Sequence, residues 1–300
     1  MNHRFEIITN LEEPILKLLT DKSKQKKHVL DLNKKFIIYR NDFQCANFAF
    51  NCYLYNKECI RRDTICSQCG IFFKDRDSEI TYSSDYIKML KKTSLVGVWS
   101  GNETYDRIKF YEENNLKLIN ATCDIIEPYY YFKNEKNILK NILKNIIKNK
   151  RILVISSHKK SIEHQLPFLD KIFEPYSIFE NNTFIILKPP QTYCGNHNNT
   201  DWSVHFNKFC KELDEVKDDF DIALVAAGGY GALICDYIFT NFNKSSIYIG
   251  GALQLYFGIM GNRWREYFKF DTFPNSYWLD HPLPQDTPTN TKIVEDSCYW

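Results

Sequence analysis

The chain has 300 residues, 44% hydrophobic and 25% charged, an ordinary balance for a globular fold long enough to bury a substantial core. Its net charge of +2 gives no global electrostatic basis for binding nucleic acid or a membrane surface, and neither partner is expected. No apolar run reaches the roughly 18 residues of a membrane span, and the start of the chain lacks a signal-peptide pattern, so a cytoplasmic protein is expected.

Taken in chain order, residues 1–34 read as a polar, helix-prone lead-in. Lys35–Tyr39 (KFIIY) is a short apolar strand, and Asp42 stands at the N-cap position of a helix over Phe43–Tyr55. Residues 57–82 are charged and irregular, and a helix follows over Ser84–Lys91. Leu95–Trp99 (LVGVW) is a strand and Tyr105–Glu113 a helix. A strand is expected at Tyr129–Phe132, then a solvated Lys-rich helix over Asn134–Lys148. Arg151–Ser156 (RILVIS) is a buried strand, followed by Ser157-His158 and a helix to about Phe173. Thr183–Leu187 is a further strand, and Asp201–Val216 an amphipathic helix.

The most informative stretch is next. An apolar strand, Ile222–Ala227, runs into Gly228-Gly229 and a helix from Tyr230 to Phe242. A second strand, Ile247–Ile249, runs into Gly250-Gly251 and another helix. Strands alternating with helices predict a doubly wound, mostly parallel α/β sheet, Rossmann-like, with helices on both faces. Residues 35–264 form that domain, and the Pro-rich tail 265–300, with anchors Trp278, Tyr299 and Trp300, is expected to pack on it. Two strand–Gly-Gly–helix units place bare backbone at the carboxyl edge of the sheet, where a phosphate can approach a helix N-terminus. The pattern is not the GxGxxG fingerprint, and glycine after a strand also serves simply to turn the chain.

Ten cysteines are present. Cys45, Cys52, Cys59 and Cys66 fall seven apart, and Cys66-Ser67-Gln68-Cys69 is a single CxxC. One CxxC without a matching second pair favours reduced, buried thiols over a structural zinc site.

Ala223–Phe257 resembles the C-terminal portion of the GT-D type glycosyltransferases, and Tyr39-Arg40-Asn41-Asp42-Phe43-Gln44 falls where that family carries an Arg-containing turn and an Asp-x-Glu motif. The resemblance implies transfer of a sugar from a nucleotide-diphosphate sugar to a glycan or other hydroxyl acceptor. It implies that Asp42 is the first acid of the motif, its carboxylate either a ligand of a divalent cation, Mn or Mg, or a direct contact to the sugar. Gln44 replaces the family's Glu, so the second acid is missing.

Other candidates follow from position. Asp42, Glu103 and His158 are the candidate catalytic groups, each at or just after the end of a strand. Arg40 and Arg263 suit a diphosphate, and Trp264 a ring. Ser156 and Ser157, with Gly228, Gly229, Tyr230, Gly250, Gly251 and Gln254, complete the expected nucleotide-sugar site. The contrasting reading is a non-catalytic Rossmann-like protein that binds a nucleotide or phosphorylated ligand, with Asp42 serving as a helix cap.

Overall fold

The structure, a computed structural model, describes residues 4–99, 101, 103–121, 142–175, 177–267 and 274–300. Its centre is an all-parallel sheet of seven strands: β3 (Ile37–Arg40), β4 (Leu95–Val98), β5 (Leu118–Asn120), β6 (Arg151–Ser156), β7 (Thr183–Leu187), β8 (Ile222–Ala226) and β9 (Ser245–Tyr248). Their spatial order is β5-β4-β3-β9-β8-β6-β7. Parallel strands require crossovers, and the crossovers put helices on both faces, which gives the doubly wound, Rossmann-like fold.

Alternation along each strand divides the core in two. Ile37, Tyr39, Leu153, Ile155, Ala223 and Val225 point to one layer. That layer is covered by the helices Phe43–Tyr55, Arg76–Lys92, Tyr105–Glu113, Trp202–Glu215 and Gly231–Asn241. Ile38, Ile152, Val154, Ile222, Leu224 and Ile247 point to the other. There the helices Ile142–Ile147 and Lys159–Gln165 and the 3₁₀ run Gly250–Phe257 pack, with Trp264 and Trp278. Strands buried on both faces read as continuous apolar runs, which is why RILVIS and IALVA were recognisable.

The lead-in corrects the sequence reading. Residues 4–31 form an antiparallel pair, β1 (Arg4–Asn10) and β2 (Gln25–Asp31), joined through the short helix Glu13–Leu18. The β-branched Ile7, Ile8 and Thr9 favour an extended chain, and Ile7 and Thr9 are buried at period two. The pair covers the sheet edge at β5: the Asn120 N–H donates to Thr9 Oγ1 at 2.9 Å, and His28 Nε2 meets the Leu118 carbonyl at 2.8 Å. An exposed edge strand is thereby closed to further pairing.

Three smaller departures matter for the site. The helix expected at Ser84 begins at Arg76, capped by Asp75, whose carboxylate accepts from Ser78 N–H at 2.9 Å. Residues 65–69 form a turn of π-helix. The two glycine pairs open 3₁₀ turns, Gly228–Tyr230 and Gly250–Phe257, and only the first leads into an α-helix. Tyr129–Phe132 and residues 134–141 of the Lys-rich segment lie outside the described residues. Among the described residues, no helix is long and apolar enough to cross a membrane.

Candidate functional site

The carboxyl ends of β3, β6, β8 and β9 open into one cavity of about 490 Å³. It sits where the two halves of the sheet meet, β3 beside β9, the place where open α/β sheets leave a crevice for ligands. A volume of this size suits a nucleotide-sized molecule. The strand ends contribute Arg40, Asn41 and Asp42 from β3, Ser156, Ser157 and His158 from β6, Ala226 to Gly228 from β8, and Tyr248 and Gly251 from β9. Rings of Trp99, Tyr193, Tyr299 and Trp300 and the cation of Arg263 complete the wall.

The tail is part of this wall. Its main chain bonds back to the domain through Met260 N–H to Leu279 O (2.9 Å) and Arg263 N–H to Cys298 O (2.8 Å). The Trp300 indole N–H donates to Asp286 O at 3.1 Å, and its ring stacks on Tyr193 with centroids 5.8 Å apart. Arg263 donates to Tyr299 Oη at 2.9 Å, lies over the Tyr299 ring, and pairs with Glu295.

Several predicted residues line the cavity: Arg40, Asp42, Ser156, Ser157, His158, Gly228, Gly251, Arg263 and Trp264. Three of its wall groups stand out. Asn41, His158 and Trp264 are all more than nine-tenths buried, yet among the described residues Asn41 Oδ1, His158 Nε2 and Trp264 Nε1 find no hydrogen-bond partner. Buried polar atoms are normally satisfied, and one left bare costs about 1–3 kcal/mol. Burial also holds the His158 imidazole down at about 4, with Lys188 adding to the effect and Asp286 opposing it. The ring is therefore neutral at physiological pH and able to accept a proton.

Asp42 has two roles at once. Its Oδ1 caps the helix Phe43–Tyr55 by accepting from Cys45 N–H at 2.6 Å, and its carboxylate also borders the cavity. Burial raises its pKa, while the Cys45 N–H and the Arg40 charge pull it down. Arg40 in turn lies against Trp99, with its guanidinium carbon 5.8 Å from the ring centroid.

Other predicted residues do not reach the cavity. Glu103 does not line the cavity; its Oε1 accepts from Asn41 Nδ2 at 3.3 Å, so it positions a cavity residue. Burial raises its pKa against the opposing charge of Arg107. Gln254 turns inward and donates to the carbonyls of Ile259, Met260 and Tyr299 at 3.1–3.3 Å, the last of these tying the end of the tail to the 3₁₀ run. Tyr230 is buried beside Thr192, and Gly229 is packed under Ile71.

The glycines make room for the chain's own side chains. A Cβ on Gly250 would overlap the Arg40 guanidinium, and one on Gly251 would overlap the Tyr299 ring. Gly250 also has φ +70°, a conformation that favours glycine. The start of the helix Lys159–Gln165, after Ser156 and Ser157, is likewise filled from within. Asp286 of the tail accepts from Ser161 N–H (2.7 Å), Ser161 Oγ (2.8 Å) and Lys160 N–H (3.2 Å), with Lys188 Nζ at 3.5 Å. The tail carboxylate thus supplies the negative charge that a helix start favours.

The Mn or Mg site implied by the resemblance does not fit these residues. Those hard cations take oxygen ligands. The potential ligand atoms beside the Asp42 carboxylate are the sulfurs of Cys45 and Cys69, all three within 4.8 Å of one another. Gln44, in the place of the second acid, is within 3.5 Å of Gln68 Oε1.

Sequence reasoning missed Cys69, Tyr193 and Tyr248 as wall residues, because no local pattern ties them to the strand ends they join, and passed over Asn41, which lies inside the Arg40–Asp42 motif but has no charge to mark it. Comparison of the chain with known protein families, with curated proteins and with solved structures finds no match.

Proposed function

We propose that this chain is a glycosyltransferase that takes a nucleotide-diphosphate sugar in the cavity at the carboxyl edge of the sheet and moves the sugar to a hydroxyl acceptor. The observation that carries the reading is the set of bare buried polar atoms on the cavity wall, Asn41 Oδ1, His158 Nε2 and Trp264 Nε1. A donor, an acceptor and an imidazole without partners among the described residues suit a polar ligand that satisfies them. Arg40 and Arg263 supply cations for a diphosphate, and the aromatic rings supply faces for a base or sugar.

In the transfer, the acceptor oxygen bonds to the anomeric carbon as the bond from that carbon to the diphosphate oxygen breaks. The acceptor proton passes to His158 Nε2, and the arginines hold the charge that develops on the departing diphosphate. A diphosphate beside His158 raises the proton affinity of the imidazole from its low resting value. The Asp42 carboxylate contributes negative charge near the sugar, where the positive character of the transition state develops.

The test is thermal stabilisation of the full chain by nucleoside diphosphates and their sugars, followed by assay of transfer to hydroxyl acceptors and to water. Selective stabilisation by one nucleotide sugar, with release of its nucleoside diphosphate, is the expected result. Binding without release would favour the non-catalytic reading, which the use of Asp42 Oδ1 as a helix cap supports. No stabilisation by any of them would remove the nucleotide-sugar assignment.

A further inference from the structure

The group Asp42, Cys45 and Cys69 has a donor chemistry of its own. Asp42 and Cys45 stand three apart at the start of the helix Phe43–Tyr55, so their side chains fall on the same turn. Cys69 ends the π-turn Ile65–Cys69, 24 residues after Cys45 along the chain. That turn is pinned: Cys194 N–H donates to Ser67 O at 2.7 Å, and Thr192 Oγ1 to Gly70 O at 2.6 Å. Gly228 packs against the Cys69 carbonyl from the other side. The three ligand atoms converge to within 4.8 Å of one another on parts of the chain that are held in place.

Two sulfurs and one carboxylate oxygen form a soft-leaning set that suits zinc rather than magnesium or manganese. Around zinc, with metal–sulfur bonds of about 2.3 Å, neighbouring ligand atoms of a tetrahedron sit just under about 4 Å apart. Closing the present triangle needs side-chain movement on the order of 1 Å, which rotation about the Cys69 and Asp42 side-chain bonds can supply. Asp42 Oδ1 is engaged with Cys45 N–H, and a carboxylate retains further lone pairs for a metal. Cys45 is fully buried, whereas Asp42 and Cys69 both border the cavity, so the fourth position opens toward the ligand space.

We propose that Asp42, Cys45 and Cys69 bind a single zinc ion whose fourth coordination position faces the cavity. Three protein ligands and one open position are the arrangement of a zinc ion that meets a ligand, rather than one that only braces the fold. The assignment stands apart from the sugar-transfer reading, since metal binding is measured without any substrate.

The experiment uses the full chain, purified under reducing conditions without chelator and passed through gel filtration. Bound zinc is measured by mass spectrometry, and cobalt is added to the metal-free protein. The expected result is one zinc per chain and a thiolate-to-cobalt charge-transfer absorption. Cys69→Ser is expected to abolish the absorption and to weaken zinc binding by more than about a hundredfold, beyond the loss from removing an outer partner. Cys69 is part-exposed, so this variant tests binding with little demand on the core; circular dichroism checks its fold. Asp42→Asn is expected to weaken binding while keeping the cap. Cys66→Ser, which alters the other cysteine of the CxxC, is expected to bind as the parent does. The proposal fails if the parent chain retains no zinc and shows no charge-transfer band. It also fails if Cys69→Ser binds as the parent does, or if Cys66→Ser loses the metal equally.

Discussion

At the scale of single residues, the site is defined by polar groups whose needs the fold leaves unmet. His158 is the clearest. Its imidazole is buried and held at about 4 against an ordinary value of 6.5. In the unfolded chain the ring takes a proton as pH falls through about 6.5, whereas the folded protein resists until about 4. Folding stability contributed by this group is therefore fully present above the unfolded value and lost progressively between these two pH values, by up to about 3 kcal/mol. A His158→Gln variant is expected to show a flatter dependence of the urea midpoint on pH across that window, measured beside the parent. Equal slopes would show that the imidazole is solvated in the folded state. Asp42 was legible in the sequence as a helix cap and as a cavity acid, and the structure places it in both positions, one oxygen for the cap and a carboxylate edge toward the cavity.

At the scale of elements, the strand ends decide what the cavity receives. The glycine pairs after β8 and β9 looked like open backbone for a phosphate, and their bareness is largely taken up by Ile71, Arg40 and Tyr299. Gly250 is the position where this has the sharpest consequence. Gly250→Ala meets both the Arg40 guanidinium and a φ of +70°. It is expected to cost about 1–3 kcal/mol, read as a lower melting temperature, and to displace Arg40 from the wall. A melting temperature equal to the parent's would mean that Arg40 moves aside freely. The lead-in was misread for a related reason. Its polar residues occupy the solvent face of an antiparallel pair, and that alternation is weak in seven-residue strands facing water on one side.

At the scale of the whole molecule, the tail closes the site. Asp286 crosses from the tail to the helix Lys159–Gln165 and satisfies its first N–H groups, while Trp300 and Tyr299 finish the cavity wall. Asp286→Ala leaves the buried Ser161 N–H and hydroxyl without their acceptor, at a cost of about 1–3 kcal/mol. The variant is expected to be cleaved faster in the tail during limited proteolysis and to bind cavity ligands less well. Unchanged cleavage would show that the aromatic anchors hold the tail without the carboxylate.

The sequence by itself determined the doubly wound sheet and most of its strands. Strands buried on both faces are written as unbroken apolar runs, and the helices between them carry their own caps and periodicity. It also marked the strand ends where Arg40, Asp42 and His158 stand, because in a parallel sheet those ends share one edge. Only the tertiary structure decided which side chains fill that edge. Asp286, Tyr299 and Trp300 reach it from more than a hundred residues beyond His158, and Cys69 meets Asp42 and Cys45 through a turn with no regular pattern. Such meetings depend on packing between distant segments, which leaves no period or local motif in the chain to read.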